Sequence, residues 1–416
     1  MTKKNAACFF ALILLLGFSF TPGRAACEVF EYKHTPGDRY RILSVVNEEV
    51  LVNRRISHSA EILNRIAVEV TDVKDGKGRH KATFQTSERA SYAPVAGRRT
   101  QAQNTPAAFQ WAREYESEFD RDKLGYLTID PKYYMPVVRN VPVFPGKNLN
   151  PGEKWNADGH EIHDFRDSFG IEQPYRIPFT AYYTYLGDRQ WKGNTYPAFS
   201  VNYRIVSQPQ AVRGRIWPKR ITGSSDQVVY WDRSHGQPVA YEETFNLTFE
   251  MSDNRVIEFR GKAQAEIIES EYMDKDKIAS EIIDEIERLE IPDVNVRKVD
   301  EGVSISLEDI GFYADSAVML PGEREKLDKI AEILKRYPER DILVSGHTAL
   351  AGTREGRMKL STDRAGAVTD YLLSKDVRSA DRVVVRGYGA DKPIADNRTE
   401  EGMRRNRRVE ITILEN

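Results

Sequence analysis

Alternation of apolar and polar residues with a period of two dominates residues 28 to about 272. Two runs show it most clearly, with every second residue on one face: Phe109, Trp111, Arg113, Tyr115, Ser117 and Phe119, and then Tyr241, Glu243, Phe245, Leu247, Phe249 and Met251. This period is typical of a half-buried β-strand. Polar turns, such as residues 74–78 with two glycines, separate neighbouring runs and indicate hairpins. We therefore predict antiparallel sheets with one buried face in this region.

Helical spacing replaces this alternation after residue 273. Ile278, Ile282, Ile286 and Leu289 share one face of a charged segment that ends at Pro292, which predicts a connecting helix. Beyond it, short apolar runs alternate with two longer helical segments and one short helix, in the order βαβαβ(α)β. Such an order is typical of helices packed in a second layer on one sheet face. The predicted fold class is α+β multidomain, with a β-rich antiparallel N-terminal and central region followed by this two-layer domain.

Breaks in these patterns suggest where domains begin and end. The polar stretch 96–106 has no periodicity and reads as a loop or boundary. We therefore expect a β-rich N-terminal domain at 26–105, a β-rich central domain at 106–272, a linker helix at 273–300 and the two-layer domain at 301–416.

The first 25 residues are predicted to be a secretory signal peptide and not part of the fold. Lys3 and Lys4 precede an apolar run, and small residues follow it up to Ala25. Cys27 comes directly after Ala26, so lipidation of its thiol remains an alternative. We expect the exported protein in the periplasm, either free or peripheral to the outer membrane. With 61 Lys and Arg against 63 Asp and Glu, the chain has a formal charge of -2, which gives no reason to expect a nucleic-acid partner.

An ordered set of short motifs marks the stretch from Val303 to Leu414. Its members are Phe312, Asp315-Ser316-Ala317, Leu320-Pro321, Gly346-His347-Thr348, Leu360-Ser361, Arg364-Ala365, Gly387-Tyr388-Gly389, Asn397, Gly402 and Asn406-Arg407-Arg408. No single motif is specific, but their order and spacing are. This stretch resembles the OmpA-like C-terminal domain family, whose members hold peptidoglycan in the cell envelope of diderm bacteria.

The resemblance implies a site for the diamino acid of the peptidoglycan stem peptide, usually diaminopimelate. In the family, an Asp after Gly-His-Thr takes the ligand ammonium, and an Arg fifteen residues later takes its carboxylate. Here the Arg is Arg364, but Ala349 stands at the Asp position and Arg357 replaces a family Asn. His347, Thr348 and Arg408 complete the binding residues that the resemblance implies. We therefore expect diaminopimelate recognition to be weak or altered, and the stem peptide need not be of the diaminopimelate type.

Elsewhere the chain offers candidate chemistry that does not form a convincing site. His160 and His163 superficially suggest metal ligands, but Gly159 and the polar residues before it predict a loop there. We predict no metal site, no cofactor and no catalytic residue. The expected function is that of an exported, non-enzymatic envelope protein that associates with peptidoglycan and with an unidentified outer-membrane or periplasmic protein. Two alternatives stay open: a periplasmic scaffold or hydrophobic-ligand carrier without peptidoglycan binding, and a wall-processing enzyme in the β-rich region.

Overall fold

A computed structural model describes residues 27–92, 108–212, 214–269, 273–308, 310–313 and 315–415. The signal peptide expected at 1–25 and the loop expected at 96–106 lie outside the described residues. Within them, no helix is both long enough and apolar enough to cross a membrane.

Twelve strands and one short helix build the first part of the chain, which we call the front sheet. The strands are β1 (Arg39–Val52), β2 (Arg55–Lys74), β3 (Lys77–Tyr92), β4 (Phe109–Arg121), β5 (Leu127–Ile129), β6 (Val138–Arg139), β7 (Lys154–His163), β8 (Tyr175–Trp191), β9 (Asn194–Ser207), β10 (Pro218–Asp232), β11 (Gln237–Met251) and β12 (Val256–Glu269), and the helix is α1 (Arg166–Phe169). The predicted period-2 runs are β4 and β11. The segment that contains His160 and His163 belongs to β7, so the loop predicted there is wrong. A strand tolerates Gly159 because an added Cβ would meet the ring of Phe179 at 2.6 Å.

All pairings within the front sheet are antiparallel. Hydrogen bonding gives the order β5-β4-β3-β2-β1-β12-β11-β10-β9-β8-β7 and then β6, with β1 bonded to both β2 and β12. The β1–β12 pair joins residues more than 200 positions apart, such as Tyr40 and Glu269. The segments 26–105 and 106–272, expected as two domains, therefore share one sheet. Local sequence does not distinguish a connection within one sheet from a domain linker, because both can be polar and aperiodic.

The second part of the chain is a two-layer unit. Its elements are α2 (Lys275–Arg288), β13 (Val294–Val299), β14 (Gly302–Glu308), α3 (Glu323–Lys335), β15 (Ile342–Gly346), α4 (Arg354–Ser374), a 3₁₀ turn (Ala380–Arg382), β16 (Val383–Gly387), α5 (Glu400–Asn406) and β17 (Arg408–Leu414). From β14 onward they follow the predicted order βαβαβ(α)β. The sheet order is β13-β14-β17-β15-β16, in which only the β15–β16 pair is parallel.

One apolar core joins the helices to this sheet. Val303, Ile305, Val344, Ile411 and Ile413 are fully buried on the sheet face that meets α3 and α4. The helix α2, expected as a linker, contributes Ile282 to the same core, where its exposed fraction is 0%. The helix is therefore packed into the C-terminal unit, because its apolar stripe needs a surface to cover it.

The front sheet and the C-terminal unit are in direct contact. Phe109 and Gln110 of β4 pair in parallel with Val384 and Val385 of β16, which extends the C-terminal sheet by one strand. Ala108, just before β4, lies in the C-terminal core. The two parts of the chain thus share both backbone hydrogen bonds and apolar packing.

A partly buried ion pair also crosses this boundary. Arg65 of β2 donates two hydrogen bonds to Asp341 Oδ2, at 2.9 and 2.7 Å, and Arg382 donates one to Oδ1 at 2.9 Å. The side chains of Arg65 and Asp341 are 15% and 12% exposed. One carboxylate therefore bridges two guanidinium groups, and its pair with Arg65 is largely screened from water.

Replacing Asp341 by Ala should lower the free energy of unfolding by about 2–4 kcal/mol, because the Arg65 guanidinium loses its charged partner where water reaches it poorly. Urea denaturation followed by circular dichroism measures the change. The matched control is Asp120→Ala, which breaks the more exposed pair with Arg79 and should cost less than about 1 kcal/mol. Equal losses for the two variants would contradict a special role for Asp341.

Candidate functional site

The site begins where α4 crosses the ends of β15 and β16. Both strands end in glycine, and a Cβ on Gly346 would meet the Ser361 carbonyl oxygen at 1.9 Å. A Cβ on Gly387 would meet Thr362 Oγ1 at 2.2 Å. Ser361 Oγ also accepts a hydrogen bond of 2.9 Å from the Gly389 amide. These contacts fix α4 against the loops that follow the two strands.

Arg364 stands one turn after Ser361 on α4 and is half-buried. Its Nε donates to the Ser316 carbonyl oxygen at 3.0 Å, and its guanidinium carbon lies 4.9 Å from the centre of the Phe312 ring. Burial lowers the pKa of Arg364, and the charge of Asp315 acts in the opposite direction. The loop 312–320 thus holds the guanidinium by a carbonyl group and an aromatic face.

No acidic side chain among the described residues lies within 4.0 Å of the Arg364 guanidinium nitrogens. Its remaining N–H groups suit an anionic ligand, because a guanidinium fork matches a carboxylate. Asp315 is exposed on the loop beside it. Asp315 belongs to one of the ordered motifs, but no spacing rule connects position 315 with position 364. The sequence alone therefore assigns Asp315 no role.

The loop 347–353 between β15 and α4 carries the altered position. Ala349 is buried, with 6% of its surface exposed, and its side chain offers no polar atom. The next residue, Leu350, is 60% exposed, while its amide donates to Asn397 Oδ1 at 3.1 Å. Arg357 donates to the Gly352 carbonyl oxygen at 2.6 Å, so this arginine ties down the end of the same loop.

His347 and Thr348 start that loop and are both buried, at 3% and 7% exposed. The Thr348 amide donates to the Gly389 carbonyl oxygen at 2.8 Å. The His347 ring stacks on Tyr388, with centroids 5.0 Å apart and planes inclined by 15°. These two buried residues therefore hold the start of the loop in place. Of the four binding residues that the resemblance implies, Arg364 is the most accessible.

Arg408 lies in a buried group of charges behind the loop. Its Nε donates to Glu410 Oε1 at 2.7 Å, and Arg297 donates to the same oxygen at 2.6 Å. Burial acts to raise the pKa of Glu410, but the nearby His347 ring and the charge of Arg408 outweigh it and lower the pKa from 4.5 to about 2. Burial lowers the pKa of His347, which favours its neutral form. Sequence spacing did not reveal Glu410 because it reads as one polar residue in an apolar strand.

The front sheet contains a separate polar cluster in its interior. His163 Nε2 lies 2.8 Å from Glu161 Oε2, and the Tyr203 hydroxyl donates to Glu161 Oε1 at 2.9 Å. Burial raises the pKa of the nearby Glu243, which accepts a 2.6 Å hydrogen bond from Ser225. Glu161 and His163 are two apart on β7 and share a face, whereas His160 is three from His163 and does not. Among the described residues, no three potential ligands are grouped to hold a metal ion.

The buried charge of Glu410 should make the stability of the protein depend on pH. Its folded pKa of about 2 is below the unfolded value of 4.5, so the folded state binds fewer protons. The stability it contributes, about 3 kcal/mol, is complete above pH 4.5 and is lost as the pH falls toward 2. Glu410→Gln should therefore be less stable than the wild type at pH 7, with the gap closing toward pH 2.

Urea denaturation at pH 7, 5 and 3 checks this expectation. Glu401→Gln is the control, since Glu401 is an exposed glutamate paired with Arg404, and it should follow the wild type at every pH. A gap between Glu410→Gln and the wild type that does not change with pH would count against the assignment.

Several known proteins are similar to part of this chain. The model of the OmpA family matches residues 311–407. The peptidoglycan-binding protein ArfA of Mycobacterium tuberculosis H37Rv is 38% identical over 104 residues, which cover 25% of this chain and 32% of ArfA. The probable lipoprotein YiaD of Escherichia coli K12 is 35% identical over 121 residues, or 29% of this chain and 55% of YiaD.

A solved structure, the cell wall anchor of the T6SS from Pseudomonas aeruginosa, is 31% identical. The matched region covers 33% of this chain and 96% of the anchor, with a TM-score of 0.28. The chain spans about a third to just over half the length of the curated relatives named above. Residues 311–407, which lie in the C-terminal unit, match the model of the OmpA family and form a domain of that kind.

Proposed function

We propose that this protein is an exported, non-enzymatic component of the cell envelope whose C-terminal unit associates with peptidoglycan through Arg364. The observation that carries the proposal is the placement of this half-buried guanidinium, held by the Ser316 carbonyl group and the Phe312 ring, at the helix that borders the 347–353 loop. A stem peptide presents carboxylates that such a guanidinium can bind with two hydrogen bonds. The relatives support this role, since ArfA is named a peptidoglycan-binding protein.

Recognition of diaminopimelate is altered in this proposal. The distal end of that residue carries an ammonium and a carboxylate, and a site for both needs an anion close to the guanidinium. Ala349 cannot provide the anion, and Asp315, the acid whose charge acts on Arg364, lies on the 312–320 loop and not at position 349. Losing one charge-assisted hydrogen bond costs about 1.5–3 kcal/mol, which is about one to two orders of magnitude in affinity.

The surroundings of the site favour a ligand with an apolar part. Leu350 lies on the 347–353 loop, and Tyr313 and Val318 lie on the 312–320 loop that holds Arg364, with exposed fractions of 60%, 52% and 61%. Exposed apolar side chains at a binding site gain by covering one another or a ligand. A stem residue that offers a carboxylate without a neighbouring ammonium fits this combination better than free diaminopimelate does.

The proposed location is the periplasm, at the wall or peripheral to the outer membrane. In this proposal, the front sheet meets a second envelope protein, whose identity nothing in the chain indicates. The probable lipoprotein YiaD matches 29% of this chain, and this similarity does not decide whether Cys27, which is exposed here, carries a lipid.

Arg364→Ala should reduce the retention of the protein on purified peptidoglycan sacculi by about tenfold or more, because the carboxylate loses a charge-assisted partner. A pull-down with quantified bound and free fractions measures this. Arg288→Ala is the matched control, since it removes an exposed arginine on α2 of the same unit and should leave retention unchanged. Equal retention of Arg364→Ala and the wild type would defeat the proposed site.

Ala349→Asp should tighten binding of free diaminopimelate by about ten- to a hundredfold, because an acid at this position restores a partner for the ammonium. Isothermal titration calorimetry of the wild type and the variant gives both constants. Ala349→Asn, similar in size but uncharged, is the control and should gain little. A wild-type dissociation constant already in the micromolar range would contradict the altered recognition.

A further inference from the structure

A stack of rings and cations connects the front sheet to the proposed wall-binding loop. Trp111 of β4 lies over the Arg386 guanidinium, whose central carbon is 4.4 Å from the centre of the indole ring. The same guanidinium carbon lies 4.5 Å from the centre of the Tyr388 ring. Tyr388 in turn stacks on His347 at 5.0 Å. Four side chains thus form a continuous series from β4 to the first residue of the 347–353 loop.

His347, the last residue of this series, depends on its stacking against Tyr388 for the orientation of its ring. Neither ring nitrogen of His347 has a hydrogen-bond partner among the described protein atoms. Its nearest ionic neighbour, Glu410 Oε2, is 3.7 Å from Nε2, which is too long for a hydrogen bond. The ring orientation therefore rests on its contact with Tyr388 and on close packing.

The backbone makes the same connection. The Tyr388 amide donates to the Gly346 carbonyl oxygen at 2.9 Å, and the Thr348 amide donates to the Gly389 carbonyl oxygen at 2.8 Å. A shift of Tyr388 consequently moves the start of the loop that carries Ala349 and Leu350. Trp111 itself packs on Leu343, Val384 and Leu414, which anchor it to the C-terminal sheet.

We propose that Trp111 is a positioning residue for the wall-binding loop, so that the docking of the front sheet and the geometry of the ligand site are coupled. The coupling acts through Arg386 between two aromatic rings, a contact whose strength increases as water is excluded. Any partner that pulls β4 away from β16 loosens the 347–353 loop, and a ligand that orders the loop strengthens docking, because coupling between two sites is reciprocal. This inference rests on the proposed function for its consequence at the wall, but not for its structural test.

Amide hydrogen exchange on the full-length protein tests the coupling without any ligand. Trp111→Ala should speed exchange at Thr348 and Leu350 by about tenfold, because the loop opens more often once the stack is broken. The amides of Val344 and Ile411, in the middle of β15 and β17, should keep their wild-type rates. Trp111→Phe, which retains a ring face for Arg386, should restore most of the protection.

Trp191→Ala is the matched control. It removes a tryptophan that packs on Tyr230 within the front sheet, and it should leave Thr348 and Leu350 unchanged. Arg386→Met provides a second route, because it keeps the aliphatic stem and removes the cation between the rings. The inference would be overturned if the Thr348 amide exchanged at the wild-type rate in both Trp111→Ala and Arg386→Met. It would also be overturned if Trp191→Ala accelerated exchange at Thr348 as much as Trp111→Ala does.

The sacculus pull-down then separates this inference from the proposed function. If the wild type is retained, Trp111→Ala should lower retention and Trp111→Phe should restore it, while a Trp111→Ala protein retained like the wild type would overturn the coupling. A wild type that is not retained at all would defeat the proposed function, and the exchange rates would still decide whether β4 positions the loop.

Discussion

The approach of α4 to the glycine ends of β15 and β16 is the contact on which the site depends. A single methyl group at Gly346 would lie 1.9 Å from the Ser361 carbonyl oxygen, so a larger residue there forces the helix outward. Glycine permits this close packing because it has no Cβ. The small residue Ser361 and the buried Ala365 on the helix meet the strands from the other side. Arg364 lies between these two residues in sequence. The same packing therefore fixes the backbone position from which the Arg364 side chain extends.

Buried charge forms the second constraint behind the loop. Glu410 accepts hydrogen bonds from both Arg408 and Arg297, so each charge in the group has a partner close by. Charges removed from water persist only with such partners. The sheet face that carries Glu410 also carries Leu414, which packs near Trp111 of the front sheet. The charged group and the contact between the two parts of the chain therefore occupy the same face.

The altered position changes the chemistry of the site without changing its architecture. Ala349 is buried in a loop held by two hydrogen bonds, which the Thr348 amide donates to the Gly389 carbonyl oxygen and the Leu350 amide donates to Asn397 Oδ1. None of these contacts requires an acid at position 349. The fold therefore does not depend on an acid at position 349. In the proposed function, a zwitterionic ligand would lose the partner of its ammonium, and apolar side chains on the two loops, such as Leu350 and Val318, would contribute more to binding.

The sequence by itself determined the local elements and the family of the C-terminal unit. Period-2 runs gave β4 and β11, helical spacing gave α2, and the ordered motifs identified the domain that includes Arg364. Local patterns failed where a long-range contact decides the outcome. Gly159 suggested a loop, yet it lies in β7 because the Phe179 ring occupies the space of its missing side chain.

Only the tertiary structure decided which elements share a sheet and which residues surround the site. β1 pairs with β12 across more than 200 residues, and no local pattern records a strand's distant partner. Trp111 reads in the sequence as one aromatic residue of a half-buried strand, but the fold places it on Arg386 of another unit. Asp315 and Glu410 likewise acquire their roles from the charges that folding brings beside them. Periodicity reports which face of an element is buried, whereas packing alone determines what covers that face.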